Sequence, residues 1–176
     1  MRFTSVPALA GLTALAAAQQ PELATQLNAL NTLVSQLQGT LSDWQGGYTS
    51  LIPAIVPTLQ QSIQALSTIN SINNLAQTSG PLDEQSADQV IQALQTIHEQ
   101  RPIVGQTLAD KKAAFADLNP AYLQGVSLAV STFGGLSDKG HAAILAAVPD
   151  DKKPEVQQLW DQSQSDLQQV LQDYSS

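Results

Sequence analysis

The stretch VIQALQTIHEQRPIVGQTLADKKAAF, residues 90–115, carries an apolar side chain every three or four positions: Val90, Leu94, Ile97, Val104, Leu108 and Phe115. That is the period of an α-helix with one buried face, and the run is far too long for a strand. Two cations, Arg101 and Lys111, stand in register with the apolar residues, and Pro102 follows the first. Pro102 has no N–H to offer the carbonyl of His98, so a bend is expected there.

The same period extends outward on both sides. Leu23, Leu27, Leu30, Val34, Leu37, Leu41 and Trp44 alternate steps of four and three, and Gly46-Gly47 ends that helix. A second helix is predicted over about residues 48–77, with Ile52, Val56, Leu59, Ile63, Leu66, Ile69 and Ile72 facing inward and Pro53 and Pro57 bending its early turns. TSGP at 78–81 breaks the chain, and Asp83 is placed to cap the third helix, which reaches about Leu118. Asn119-Pro120 starts a fourth, with Pro120 at its first position. Its stripe of Leu123, Val126, Val130 and Phe133 is expected to break at GGLSDKG, 134–140, and to resume through Ile144, Leu145 and Val148. After VPDDKKP at 148–154, Val156, Leu159, Ser163, Leu167, Val170 and Tyr174 form the inner stripe of the last helix, flanked by Trp160. No segment reads as a strand. The fold class is all-α, an antiparallel bundle of about five helices with no sheet.

The first residues are expected to stand outside that core. MRFTSVPALAGLTALAAAQQ has a basic Arg2, an apolar run and small residues before Gln19, the pattern of a secretory signal peptide over 1–18. The single domain is then 19–176. Without Arg2 its charge is 6 − 15 = −9, which gives no electrostatic footprint for nucleic acid. The chain has no cysteine, so stability must come from packing even on an export route that permits disulfides. No hydrophobic tail follows QQVLQDYSS, so neither a transmembrane nor a glycolipid anchor is expected. Localisation is expected to be extracellular, with cell-wall association open.

Between Leu23 and Leu82 the only charged side chain is Asp43, so the first two helices have outer faces of Gln, Asn, Ser and Thr. Such a face is either an ordinary solvated one or one that loses little hydration energy on an apolar surface. Chemistry is sparse. His98 and His141 lie in different helices, neither with an acidic partner at ligand spacing. GVSLA at 125–129 lacks the second glycine and the preceding strand of a nucleophile elbow. No catalytic residue, metal site or cofactor is expected, and the protein is read as a non-enzyme.

Lys111-Lys112-Ala113-Ala114-Phe115 at the close of the third helix, together with LNTLVSQLQGTLSDWQGG at 30–47, resembles the fungal hydrophobic surface binding protein A family. The resemblance covers about residues 22–174. It implies a secreted bundle that adsorbs to hydrophobic surfaces and that can help recruit a secreted hydrolase to apolar substrates. Related cell-wall galactomannoprotein antigens hold fatty acids between their helices. A Ser/Thr-rich tail like theirs is missing here.

A bend at Pro102 would open a space lined by Val104, Leu108 and Phe115, with Arg101 and Lys111 near its ends as donors to a lipid carboxylate. The alternative is that both cations lay their stems on the core edge and pair outside with Glu99, Asp110 or another acid. The leading function is therefore binding of hydrophobic surfaces or fatty acid-type lipids. Two others stay open: inhibition of an extracellular enzyme, against which the missing cysteines count, and a wall-structural or antigenic role without ligand. N-terminal mass mapping of secreted material should find Gln19 as the first residue; an intact Met1 would remove the export reading.

Overall fold

The turns are built from residues suited to reversing a chain. Gly46 and Gly47 take φ of 84° and 82°, a region closed to most side chains, and turn the first helix into the second. At Asp83 the carboxylate accepts the backbone N–H of Ser86 at 2.7 Å and starts the third. Asn119 serves two helices. Its N–H closes the third on the carbonyl of Phe115, while its Oδ1 accepts from the N–H of Ala121 at 2.9 Å.

The computed structural model describes residues 7–119 and 121–175; Pro120 lies outside them, as do the first six residues of the expected leader. Five helices result: α1 Pro7–Asp43, α2 Tyr48–Thr78, α3 Glu84–Leu118, α4 Ala121–Ala147 and α5 Lys153–Ser175. No strand occurs among the described residues. The all-α bundle is the fold observed. The Ala18–Gln19 bond lies within α1, and the first buried side chain described is Leu23.

Two expectations are corrected. The fourth helix does not break at 134–140, because α4 runs through that segment. The glycines there permit close approach. A Cβ on Gly134 would stand 2.6 Å from Leu167 of α5, and one on Gly140 would stand 2.5 Å from the Oδ1 of Asn73 in α2. Asn73 in turn donates to the carbonyl of Leu136 at 3.2 Å.

The second correction concerns α2. Its apolar stripe is buried at Ile69 and Ile72 but exposed at Val56, Leu59 and Ile63, by 52%, 57% and 65%. Ile52 falls among the side chains that are not described. The reason is rotational. At ~100° per residue a step of three falls ~60° short of a full turn. The three such steps from Ile63 to Ile72 carry the stripe to the opposite side of the helix.

The helices pack in a closed ring, in the order α1–α3–α5–α4–α2 and back to α1, and α3 also touches α4. Ring geometry limits how full the centre can be. Five axes spaced ~9 Å apart each stand ~8 Å from the middle, whereas a helix with its side chains reaches only ~5–6 Å. A column remains unless large side chains extend into it. At one end Leu23, Leu27, Ile72, Val90, Ile144 and Val156 close the ring. At the other, Leu41, Trp44, Phe115, Leu118 and Tyr174 do so, with the Trp44 and Phe115 rings 4.7 Å apart. Between the two packed ends the interior positions include Ser62, Ala65, Gly105 and Gly134, which reach inward hardly at all.

Two neighbouring glycines should respond oppositely to alanine. Nothing lies within 4 Å of a Cβ at Gly135, so Gly135→Ala should stabilise by up to about 1 kcal/mol through helix propensity. Gly140→Ala should displace Asn73 from its bond to Leu136 and destabilise by about 1–3 kcal/mol. Urea denaturation of the two variants checks the contrast.

Candidate functional site

The column between the two cores is a cavity of about 540 Å³ with walls from all five helices. Leu33, Val34 and Leu37 come from α1, Val126, Val130 and Phe133 from α4, and Leu167 and Val170 from α5. Helix α3 contributes Val104, Leu108 and Phe115. These three residues were expected to share one space, and they do line the same cavity. Both walls of the α3–α5 seam come close, since a Cβ on Gly105 would meet Val170 at 3.0 Å.

Arg101 stands where this cavity meets a smaller chamber of about 70 Å³, and it lines both. The chamber is lined mostly by apolar side chains, with polar groups at a few points. Asn73, Ser137, His141, Trp160 and Ser163 border it, and the Asn73 Oδ1 and His141 Nε2 are buried there without a hydrogen-bond partner. The guanidinium lies 6.0 Å from the centre of the Trp160 ring, against which His141 stacks at 4.5 Å. Its one hydrogen bond is a long one, from Nη1 to the carbonyl of Ser163 at 3.4 Å. Among the described residues no carboxylate reaches ion-pair distance of Arg101; the ion pairs there are Lys152–Asp88 and Lys153–Asp150. Burial lowers the Arg101 pKa from its usual range, and the negative charge of nearby Asp166 acts the other way. The guanidinium is half-buried and keeps donors that the protein does not engage.

Lys111 does not line the cavity. Its ammonium donates to the carbonyls of Ser42, in the last turn of α1, and of Trp44, just after it, where a cation offsets the negative end of the helix dipole. Neither Lys111 nor Arg101 pairs with Glu99 or Asp110. Tyr174 closes the same end: its hydroxyl donates to the carbonyl of Leu108 at 2.6 Å, and burial pushes its pKa up to about 12.

The chamber residues were not found from sequence. Asn73, His141, Trp160 and Ser163 come from three helices, and periodicity within a helix carries no information on which helices meet. One signal was available, since Ser163 interrupts an otherwise apolar inner stripe of α5. It is buried, and its hydroxyl lies 3.5 Å from the His98 Nδ1.

No described helix is long and apolar enough to cross a membrane, and no group of three or more His, Asp or Glu able to hold a metal lies among the described residues. A family model for hydrophobic surface binding protein A matches residues 21–139. Among curated proteins none matches the sequence significantly. Solved structures share the fold at low identity. Afmp4p in complex with palmitic acid superposes with a TM-score of 0.80 at 12% identity, over 88% of this chain and 99% of that one. Ligand-binding domain 1 of the Penicillium marneffei MP1 protein, complexed with arachidonic acids, gives 0.75 at 16%, over 86% and 95%. Its ligand-binding domain 2, complexed with multiple arachidonic acids, gives 0.74 at 15%, over 86% and 93%.

The chamber sets a pH dependence. Burial holds the His141 imidazole below its usual pKa, against the pull of Asp161 and Asp138. The unfolded chain therefore binds a proton near pH 6.5 that the folded chain takes up only at lower pH. Stability should fall as pH drops below about 6.5 and level off below the folded pKa. Urea midpoints at pH 7.5 and 5.5 should differ less in His141→Gln than in the parent.

Proposed function

The chain belongs to the hydrophobic surface binding protein A family, and we propose that it is a secreted, non-catalytic binder of fatty acid-type lipids. The acyl chain occupies the cavity between the two cores, and the carboxylate meets Arg101 at its polar end. One observation carries this reading: an apolar cavity of about 540 Å³ that ends on a half-buried guanidinium with no carboxylate at ion-pair distance. Sites for small ligands run to roughly 300–1,000 Å³ and combine apolar walls with a few convergent polar groups. A wall protein without ligand would have no use for such a space. Held at an apolar surface, the protein would stand where a secreted hydrolase meets its substrate, the recruiting role that the resemblance implies.

The tail and the headgroup contribute unequally. About fifteen methylenes at ~0.8 kcal/mol each offer on the order of 12 kcal/mol before the losses of immobilisation. A charge-assisted hydrogen bond adds roughly 1.5–3 kcal/mol. The tail therefore decides whether a lipid binds, and Arg101 decides which way round it lies. Asp166 works against the carboxylate, because it lines the cavity and its charge already favours the cationic form of Arg101.

Palmitate titration of folded variants tests this. Arg101→Gln should weaken binding by about tenfold and at most about a hundredfold. Asp166→Asn should tighten it several-fold. Val104→Trp, which fills the cavity from its wall, should weaken binding more than Arg101→Gln; parental affinity in this variant would remove the cavity from the account. Lipid extraction of the native secreted protein, read by mass spectrometry, should yield a fatty acid.

A further inference from the structure

The cavity has a mouth, and its position follows from exposure. Of the side chains and glycines that line it, those that stand exposed are Leu59, Gly125 and Ala129, all on α2 and α4. These two helices are pinned together lower down, where Asn73 bonds to Leu136 and packs against Gly140.

Exposed apolar residues gather at this mouth. Among the described residues, five large hydrophobic side chains stand exposed, and four of them, Val56, Leu59, Ile63 and Leu128, lie on α2 and α4. Val56, Leu59 and Ile63 follow steps of three and four along one face, and Leu128 shares a face with Gly125 three residues before it. Single exposed apolar residues are ordinary. A row that runs without a break into a cavity wall, through Leu59, is not.

Charge identifies what such a rim would meet. Helix α2 has no ionisable acid or base apart from Tyr48 at its start, and α4 has none besides Tyr122 before Asp138, while the chain as a whole carries −8. An anionic surface would repel the protein, and a polyanion or a charged protein patch would find no partner on this rim. An uncharged or zwitterionic lipid surface fits it. Its hydrocarbon takes the apolar row without any ion losing its hydration, and the exposed Gln60, Gln64 and Gln124 can hydrogen-bond headgroups as neutral groups.

We infer that the α2–α4 rim is the docking face for a lipid surface of no net charge and that acyl chains pass between that surface and the cavity through this mouth. Surface binding and lipid binding are then two uses of one site. Docking removes the step at which a free acyl chain would cross water, a step opposed by the exposure of each methylene. The inference rests on the cavity holding an acyl chain, and its test separates the two.

The probe is a fluorescent palmitate analogue, offered either dispersed in buffer or carried in phosphatidylcholine vesicles. The parent should bind the dispersed analogue. Its transfer rate from vesicles should rise with vesicle concentration, the mark of collision, and should persist in high salt. The double variant Ile63→Gln, Leu128→Gln changes two solvent-facing side chains. It should bind the dispersed analogue within twofold of the parent, yet take it from vesicles at least tenfold more slowly, at a rate independent of vesicle concentration. Ile103→Gln, an exposed apolar residue on α3, should transfer as the parent does. Failure of the parent to bind the dispersed analogue would remove the cavity reading itself. Normal binding with concentration-independent transfer in the parent, or parental transfer in the double variant, would overturn the docking face alone. So would equal slowing by Ile103→Gln, or a parental dimer that the double variant dissolves, since the row would then be covered by a second copy.

Discussion

Five helices in a ring cannot fill their own centre with ordinary side chains. The axes stand ~8 Å from the middle, and the shortfall of ~2–3 Å must be met by large residues or left open. Here it is met at both ends and left open between them. Trp44, Phe115 and Tyr174 close one end; a larger cluster around Leu23, Val90 and Val156 closes the other. Stability and cavity are therefore separated along the axis. The ends can pack at the density of a protein interior while the middle keeps space that a fully packed four-helix bundle would not have. No disulfide is available to offset this, so the two end cores carry the load.

The same separation explains where polarity sits. At the inner end of the cavity, just before the larger core begins, lie the groups that this core could not absorb: Arg101, Asn73, His141 and Ser163. Arg101 lies over the Trp160 ring and bonds to the Ser163 carbonyl, His141 stacks on the same ring, Asn73 bonds to the Leu136 carbonyl, and the Ser163 hydroxyl faces the His98 Nδ1. Arg101 is half-buried, and although the charge of Asp166 favours its cationic form, burial still disfavours it. That makes the chamber a place where a bound carboxylate would stabilise the fold as well as itself. Lys111 shows the contrasting case. In the same helix, ten residues on, an ammonium finds carbonyls at and just beyond the end of α1 and stands outside the cavity lining.

Much of this was legible in the chain, and the failures have identifiable causes. The number of helices, their caps at Asp83 and Asn119, and the turn at Gly46-Gly47 follow from local rules, because each depends on backbone geometry within a few residues. Val104, Leu108 and Phe115 share a cavity because they share a helical face. The break expected at 134–140 was an error of a specific kind. Glycine was read as a helix breaker where it serves as clearance for Leu167 and Asn73, and clearance depends on a neighbour that the local sequence does not name. The stripe on α2 was misread for a reason that the sequence does contain: successive steps of three rotate around a 3.6-residue helix, so one apparent row ends on two opposite faces.

What the sequence determined by itself was the periodic, near-neighbour part: five helices, the buried face of α3 and the uncharged surface of the α2 region. Tertiary structure alone decided which helices meet, and with that the ring order, the open column and the chamber around Arg101. It also decided the fate of the two cations in α3, which local pattern cannot distinguish because both sit in the same apolar register. The difference lies in what stands opposite. Lys111 faces the end of another helix and is satisfied there. Arg101 faces a cavity, and the pairing of a face with a cavity is a property of helix packing across many residues.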